Sequence, residues 1–274
     1  VISKYPGSEE AKVALQDLKS VYIDLNDIDA YAAYVNSLGG NIHLNINEQD
    51  SLTYIAAEKL FMRGDNEGAR RSMQNYLQNY PNGAFSTNAN FYLASIAFNL
   101  KEYNEALPMF EQVIASGDRK FLEESTARKA EIEYLTENFK AALETFKRLN
   151  EIAESADNKE AASLGIMRCA LKEGNQKDAL LAGANQLLKN PKVSPEIANE
   201  ARYVRAKAYM EMDQESKALA DLKLISQDTR TAQGAEAKYL LAQLYYDAND
   251  DKNAEKVLEE FAKNGTPHQY WLAR

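Results

Sequence analysis

Two histidines, one cysteine and a scatter of paired carboxylates are the residues of this 274-residue chain best suited to chemistry on a substrate. Acid–base catalysis needs such groups to converge, and metal ligation needs them at set spacings. His43 stands in a loop-like stretch and His268 near the end, with nothing to join them. No HExxH, CxxC pair or zinc-type spacing occurs, and no GxxxxGK[ST] or GxGxxG stands between a strand and a helix. Glu123-Glu124 and Glu259-Glu260 are carboxylate pairs, but with 27% charged residues such pairs arise on any solvated helix face. Cys169 lies on an Ala/Leu/Met-rich stretch, Leu164 to Leu171, and reads as a small core residue; alone it forms no internal disulfide. The expectation is a non-enzyme, with no catalytic residue, no metal site and no cofactor.

The elements behind these residues are set by a recurring small side chain. Ala30, Ala69, Ala106, Ala142, Ala179, Ala218 and Ala254 follow at spacings of 39, 37, 36, 37, 39 and 36. A second small residue precedes it by 12 positions in five units, at Ala57, Ala94, Ala130, Ala206 and Ala242. A period in the mid-thirties with two small residues per unit predicts stacked helical hairpins, with the small residues where paired helices cross closely. The clearest unit runs from Ala235 to Ala248, turns at Asn249-Asp250-Asp251, and returns through Ala254, Val257, Leu258 and Phe261. Five more units follow the same logic, with first helices over 54–63, 90–99, 125–135, 161–171 and 197–210. A more degenerate hairpin, Glu9 to Tyr22 and Ala30 to Leu38, precedes them. Five of the six prolines fall between units; Pro108 is expected within the first turn or so of its helix, where a missing N–H matters least.

Two segments break the period. Residues 39–49 alternate apolar and polar, and Ile42, Leu44 and Ile46 are expected to dock together on the first unit; contact with a partner is the alternative. Residues 190–195 form a shorter insertion. Both ends read as parts of unfinished repeats, so the chain is expected to be one solenoid over residues 1–274, a fragment truncated at both ends. Trp271 would then belong to the core of an incomplete unit. A net charge of −9 and a pI of about 5.0 argue against non-specific nucleic-acid binding. No apolar run approaches the ~20 residues of a membrane span.

In phase, the pattern resembles the tetratricopeptide repeat. The residues that carry the resemblance are Leu241-Ala242-Tyr245 with Ala254-Leu258-Phe261, Ala206-Tyr209 with Ala218-Leu222, Leu93-Ala94 with Ala106-Phe110, Ala130 with Ala142-Phe146, and Ala57, Ala69 and Pro81. Departures are Thr53, Asn90, Thr126 and Ser163 where the family often has Trp, and Met167 and Gly183 in the fifth unit. The resemblance implies an all-α fold, a right-handed α-α superhelix of about seven hairpins. The links Tyr5-Pro6-Gly7-Ser8 and Tyr80-Pro81-Asn82-Gly83 are similar to those of bacterial envelope members, as in outer-membrane assembly and Tol-Pal accessory proteins. That implies a periplasmic or outer-membrane-associated location, with the cytoplasm as the alternative.

In that family the first helices line a concave groove for a protein or peptide. Carried over by phase, the groove residues are Tyr54, Phe91, Arg128, Arg168, Tyr203, Lys207, Tyr239 and Gln243. Phe61, Phe98, Tyr134 and Tyr246 share the face and are expected to pack on the neighbouring unit instead. Arg128, Arg168 and Lys207 could meet an acidic peptide, although scattered surface charge explains them as well. The carboxylate clamp of the family's chaperone co-factors is not matched. The resulting expectation is a protein-interaction scaffold, possible in envelope assembly, with self-assembly or a carbohydrate- or ligand-binding groove as alternatives.

Overall fold

A computed structural model describes residues 1–2, 4–5, 8–39, 43–263, 270–271 and 274. Ile42, His268, Pro6 and Gly7 of the features above, and the helix end expected over 264–267, lie outside the described residues. All regular structure among the described residues is helical, in seven hairpins. These pair α1 (Glu9–Leu25) with α2 (Ile28–Ser37), α3 (Ile46–Met62) with α4 (Asn66–Asn79), α5 (Ser86–Asn99) with α6 (Tyr103–Ser116), and α7 (Arg119–Leu135) with α8 (Phe139–Ile152). The remaining pairs are α9 (Ala156–Glu173) with α10 (Lys177–Lys189), α11 (Pro195–Met210) with α12 (Glu215–Ile225), and α13 (Ala232–Asp247) with α14 (Asp251–Lys263). The chain divides into two compact units, Val1–Lys129 and Ala130–Arg274. Successive helices pack on one another from α1 to α6 and from α8 to α14, as in a solenoid of helical hairpins.

One backbone feature recurs in all seven hairpin turns. A residue in the left-handed region follows each first helix: Asn26, Gly64, Lys101, Glu137, Gly174, Asp213 and Asn249, with φ between 52° and 82°. This conformation lets the chain reverse within a few residues and start the second helix. Glycine adopts it freely and Asn or Asp with little strain, but Lys101 and Glu137 do so against their Cβ atoms. Glu137→Gly or Lys101→Gly is therefore expected to raise stability by about 0.5–1 kcal/mol, whereas Asn249→Gly should change it by less than about 0.3. Urea unfolding midpoints of the three variants check this; a destabilised Glu137→Gly would contradict it.

The turn also sets the register of the small residue. In five hairpins the alanine three residues into the second helix is buried: Ala69, Ala106, Ala142, Ala218 and Ala254. The other two differ from the expectation. The equivalent positions in α2 and α10 are Tyr31 and Leu180, both buried, while Ala30 and Ala179 sit one residue aside and half exposed. In the fifth hairpin the closest approach moves one turn on, to Gly183. A Cβ there would lie 2.6 Å from the Ser163 carbonyl oxygen and 2.9 Å from the Met167 nitrogen.

Three further expectations change. Helix α3 begins at Ile46, eight residues before the expected start, because Asn45 and Glu48 form a reciprocal capping box. Residues 46–49 thus belong to α3. Leu44 packs on the α1–α2–α3 core, its N–H donating to Asn36, but Ile46 is exposed. Pro108 is the sixth residue of α6, in its second turn, past the region where a helix N–H is free anyway.

The Tyr80-Pro81-Asn82-Gly83 link is held from below. Asp50 of α3 accepts the Tyr76 hydroxyl at 2.5 Å and the Ala84 N–H at 2.8 Å, and the Tyr76 oxygen accepts the Phe85 N–H at 3.0 Å. Burial, then the bond to Asp50, pushes the Tyr76 phenol well above its ordinary range. Gly83 is needed for closeness, since a Cβ would meet the Tyr76 oxygen at 2.4 Å.

Candidate interaction face

The odd-numbered helices are the first helices, and their shared face carries the residues expected to line a groove. In the unit over residues 1–129 these side chains are mostly turned to one another. Tyr54 is buried in the core, stacked on Phe85 with ring centroids 4.5 Å apart. Its hydroxyl donates to Glu58 at 2.6 Å and accepts from Asn88 of α5 at 3.2 Å. Tyr92 of α5 donates to the same Glu58 oxygen at 3.1 Å. Burial, followed by the bond to Glu58, drives the Tyr54 phenol far above its usual range. Tyr54 is therefore a packing residue, not an open anchor. Phe91 stacks on Phe121 of α7 at 4.5 Å, and Arg128 lies over the Phe98 ring while donating to Glu124 at 2.8 Å.

The unit over residues 130–274 repeats the theme with charge. Arg168 of α9 makes a two-pronged ion pair with Glu200 of α11, at 2.8 and 2.7 Å. The bonds to Glu200 hold the guanidinium above its ordinary value, outweighing burial. Tyr203 of α11 donates to Glu236 of α13 at 2.6 Å, and Lys207 reaches the other oxygen of Glu236 at 3.0 Å. Burial pushes the Tyr203 phenol up; for Lys207 burial works downward, but Glu236 and Tyr203 carry it above its usual range. Tyr239 is covered by Trp271, with ring centroids 5.6 Å apart, and by the Arg274 guanidinium. Trp271 is half-buried there, which agrees with a packing role. Gln243 is exposed.

The partners form a ladder that periodicity in residue type does not show. Tyr54 to Asn88, Glu58 to Tyr92, Arg168 to Glu200 and Tyr203 to Glu236 are separated by 34, 34, 32 and 33 residues. Each joins successive first helices. Glu200, Glu236, Asn88 and Phe121 were not among the expected site residues. A search for complementary side chains one period apart would have found the charged ones. The cations proposed for an acidic peptide are thus engaged: Arg168 and Lys207 with the next repeat, Arg128 with its own helix.

In the second unit the large apolar side chains left open on these helices gather at their C-terminal ends. Of the side chains sharing the face, Phe61 packs on Tyr92 as expected, Phe98 packs on Tyr103 of its own hairpin as well as under Arg128 of the next, and Tyr134 packs on Phe139 of its own hairpin. Tyr246 does not pack, being 68% exposed. In the first unit Leu25, Met62 and Leu100 are exposed at the hairpin turns; in the second, Leu135, Leu171 and Tyr246. Each stands within three residues before the left-handed turn residue of its hairpin.

Among the described residues no group of three or more His, Cys, Asp or Glu side chains could hold a metal ion. His43 is exposed. Cys169 is fully buried on α9, and burial, with Glu173 and Glu133 behind it, pushes its thiol up to about 12. A thiolate is thereby disfavoured, in keeping with a core role. Among the described residues no helix is long and apolar enough to cross a membrane.

A sequence model for the tetratricopeptide repeat matches residues 51–83 and 236–264, which are the second and seventh hairpins. No curated protein matches the sequence. Among solved structures, the chain is similar to one of Naa15/Naa10 bound to HypK-THB, at 13% identity and TM-score 0.50, covering 77% of this chain and 31% of that one. It is also similar to a tetratricopeptide repeat protein from Parabacteroides merdae, at 16% identity and TM-score 0.43, covering 95% and 96%. MamA is similar at 14% identity and TM-score 0.45, covering 74% and 99%. At these identities the likeness bears on fold alone.

Proposed function

We propose that this chain is a non-catalytic scaffold that binds another protein along the turn ends of its first helices. Tetratricopeptide repeats at two hairpins support a role in protein–protein interaction. The observation that carries the finer reading is the exposure of a large apolar side chain within three residues before the hairpin turn, at Leu135, Leu171 and Tyr246 in the second unit. Single exposed apolar residues are ordinary, but their return at the turn ends of the fourth, fifth and seventh hairpins favours a docking edge there. The groove residues nearer the helix centres serve repeat-to-repeat bonding in this reading, and the partner meets the apolar edge.

Photo-crosslinking tests it. A photoreactive residue at Leu171 or Tyr246 is expected to yield a discrete adduct in native extract, and one at Glu144 on a second helix is expected to yield none. Adducts at Glu144 alone would reject the edge. We also infer a bacterial envelope as the setting, on the likeness of the Tyr-Pro links. Fractionation of the native host that found the protein in the cytoplasm would reject that part without touching the scaffold reading.

A further inference from the structure

A second site lies away from the first-helix edge, in a cleft of about 290 Å³ between α12, α13 and α14. Three lysines line it, one from each helix: Lys223, Lys238 and Lys256. Glu260 is the single carboxylate in the lining; Ser226, Gln227 and Asn253 add neutral polar groups, and Leu241, Tyr245 and Val257 supply apolar surface. The chain as a whole is acidic at −9, so a cationic cleft runs against its average.

Burial sets the innermost lysine apart. Lys238 stands eleven residues before the left-handed turn residue Asn249. The same position is Leu15 in the first hairpin and the less buried Arg202 in the sixth; in the second to fifth hairpins it is Thr53, Asn90, Thr126 and Ser163. Each of these last four side chains donates to the carbonyl four residues back in its own helix. Lys238 instead carries a charge into a site where its residue is only 8% exposed. Its ammonium donates to Glu260 at 2.8 Å. That bond, then the pull of Lys238 and Lys256, holds the Glu260 carboxyl below the usual range.

Glu260 neutralises one of the three ammoniums. Lys223 lies over the Tyr245 ring, and neither it nor Lys256 forms a direct ion pair among the described residues. The carbonyl end of α12 opens beside the cleft and contributes about half a negative charge, leaving roughly +1.5. We propose that this cleft binds a phosphate dianion, free or as a small monoester. A phosphate monoester carries about −1.5 to −2 charge at pH 7 and three acceptor oxygens. The Lys223 and Lys256 ammoniums and the Gln227 amide supply donors, with Lys238 beside them; the Ser226 hydroxyl and the Asn253 amide donate to the Lys223 carbonyl and to Asp250, and the cavity is of small-ligand size.

Isothermal titration of the full chain at pH 7.5 and constant ionic strength tests this, with inorganic phosphate, O-phosphoserine, succinate and chloride as separate arms. Phosphate or phosphoserine is expected to bind one to one and saturably, with succinate weaker and chloride silent. Lys256→Ala, an exposed change that leaves the core intact, should weaken binding by about tenfold, and Lys238→Met by at least as much. Lys263→Ala, outside the cleft, should leave it unchanged. Tighter binding of phosphoserine than of phosphate assigns the site to a monoester; equal binding assigns it to the free ion. Unsaturable heats, equal response to succinate, or a Lys256→Ala affinity like that of the parent overturns the proposal. Neither result bears on the docking edge, which shares no residue with this cleft.

Discussion

Arg205→Met is expected to destabilise the unit over residues 130–274 by about 3–5 kcal/mol. Arg205 of α11 donates through two nitrogens to the two carboxylate oxygens of Asp221 on α12, both at 2.8 Å. A third bond, at 2.6 Å, reaches Asn185 of α10. One guanidinium therefore ties three consecutive helices. The Asp221 side chain is 4% exposed, so removing its partner strands a carboxylate where water cannot replace the lost bonds. Methionine fills much of the arginine volume, which separates the electrostatic effect from a cavity. Arg205→Lys should fall between, because an ammonium cannot match the two-pronged geometry. The double variant Arg205→Met/Asp221→Leu should recover to within about 1 kcal/mol of the parent, since the cost lies in the orphaned charge. Urea unfolding of the three variants decides; an Arg205→Met loss under about 1 kcal/mol would mean that Asp221 finds another partner.

That tie marks the boundary of what is legible in residue types. The hairpins follow from apolar spacing and turn formers, because helix packing demands small side chains at fixed phase. Second-helix alanines such as Ala142 and Ala218 were read correctly for that reason. The bonds between repeats are less visible. Arg168, Tyr203 and Lys207 stand out as cations or aromatics on the right face, and the phase places them there. Whether such a side chain meets solvent or the next helix depends on a partner about one period away, Glu200 or Glu236, which a reading of single units passes over. Tyr54 shows the same limit: its face was foreseen, its burial under Phe85 was not. The capping box at Asn45 and Glu48 was readable in principle, but the alternation of Ile42, Leu44 and Ile46 suggested an extended segment and hid it.

The sharpest consequence concerns the fifth hairpin, where register by sequence and register by structure disagree by one residue. Gly183 sits in the interior of α10, and by helix propensity alone Gly183→Ala would stabilise by about 1 kcal/mol. The packing predicts the opposite sign. The added Cβ would fall 2.6 Å from the Ser163 carbonyl oxygen and 2.9 Å from the Met167 nitrogen, and both are backbone atoms of α9 that cannot rotate away. The two helices must separate, and overpacking of this kind costs about 1–3 kcal/mol net. Ala179 makes the contrast. It satisfies the spacing of the repeated alanine, yet it is half exposed and Leu180 occupies the buried position. Ala179→Gln is therefore expected to change stability by less than about 0.5 kcal/mol. If Gly183→Ala proves stabilising while Ala179→Gln is costly, the alanine spacing is the true register and the close approach at Gly183 does not exist. If the pair behaves as expected, the fifth hairpin has kept its crossing by moving it one turn along the helix, with Leu180 filling the space that alanine leaves open in its neighbours.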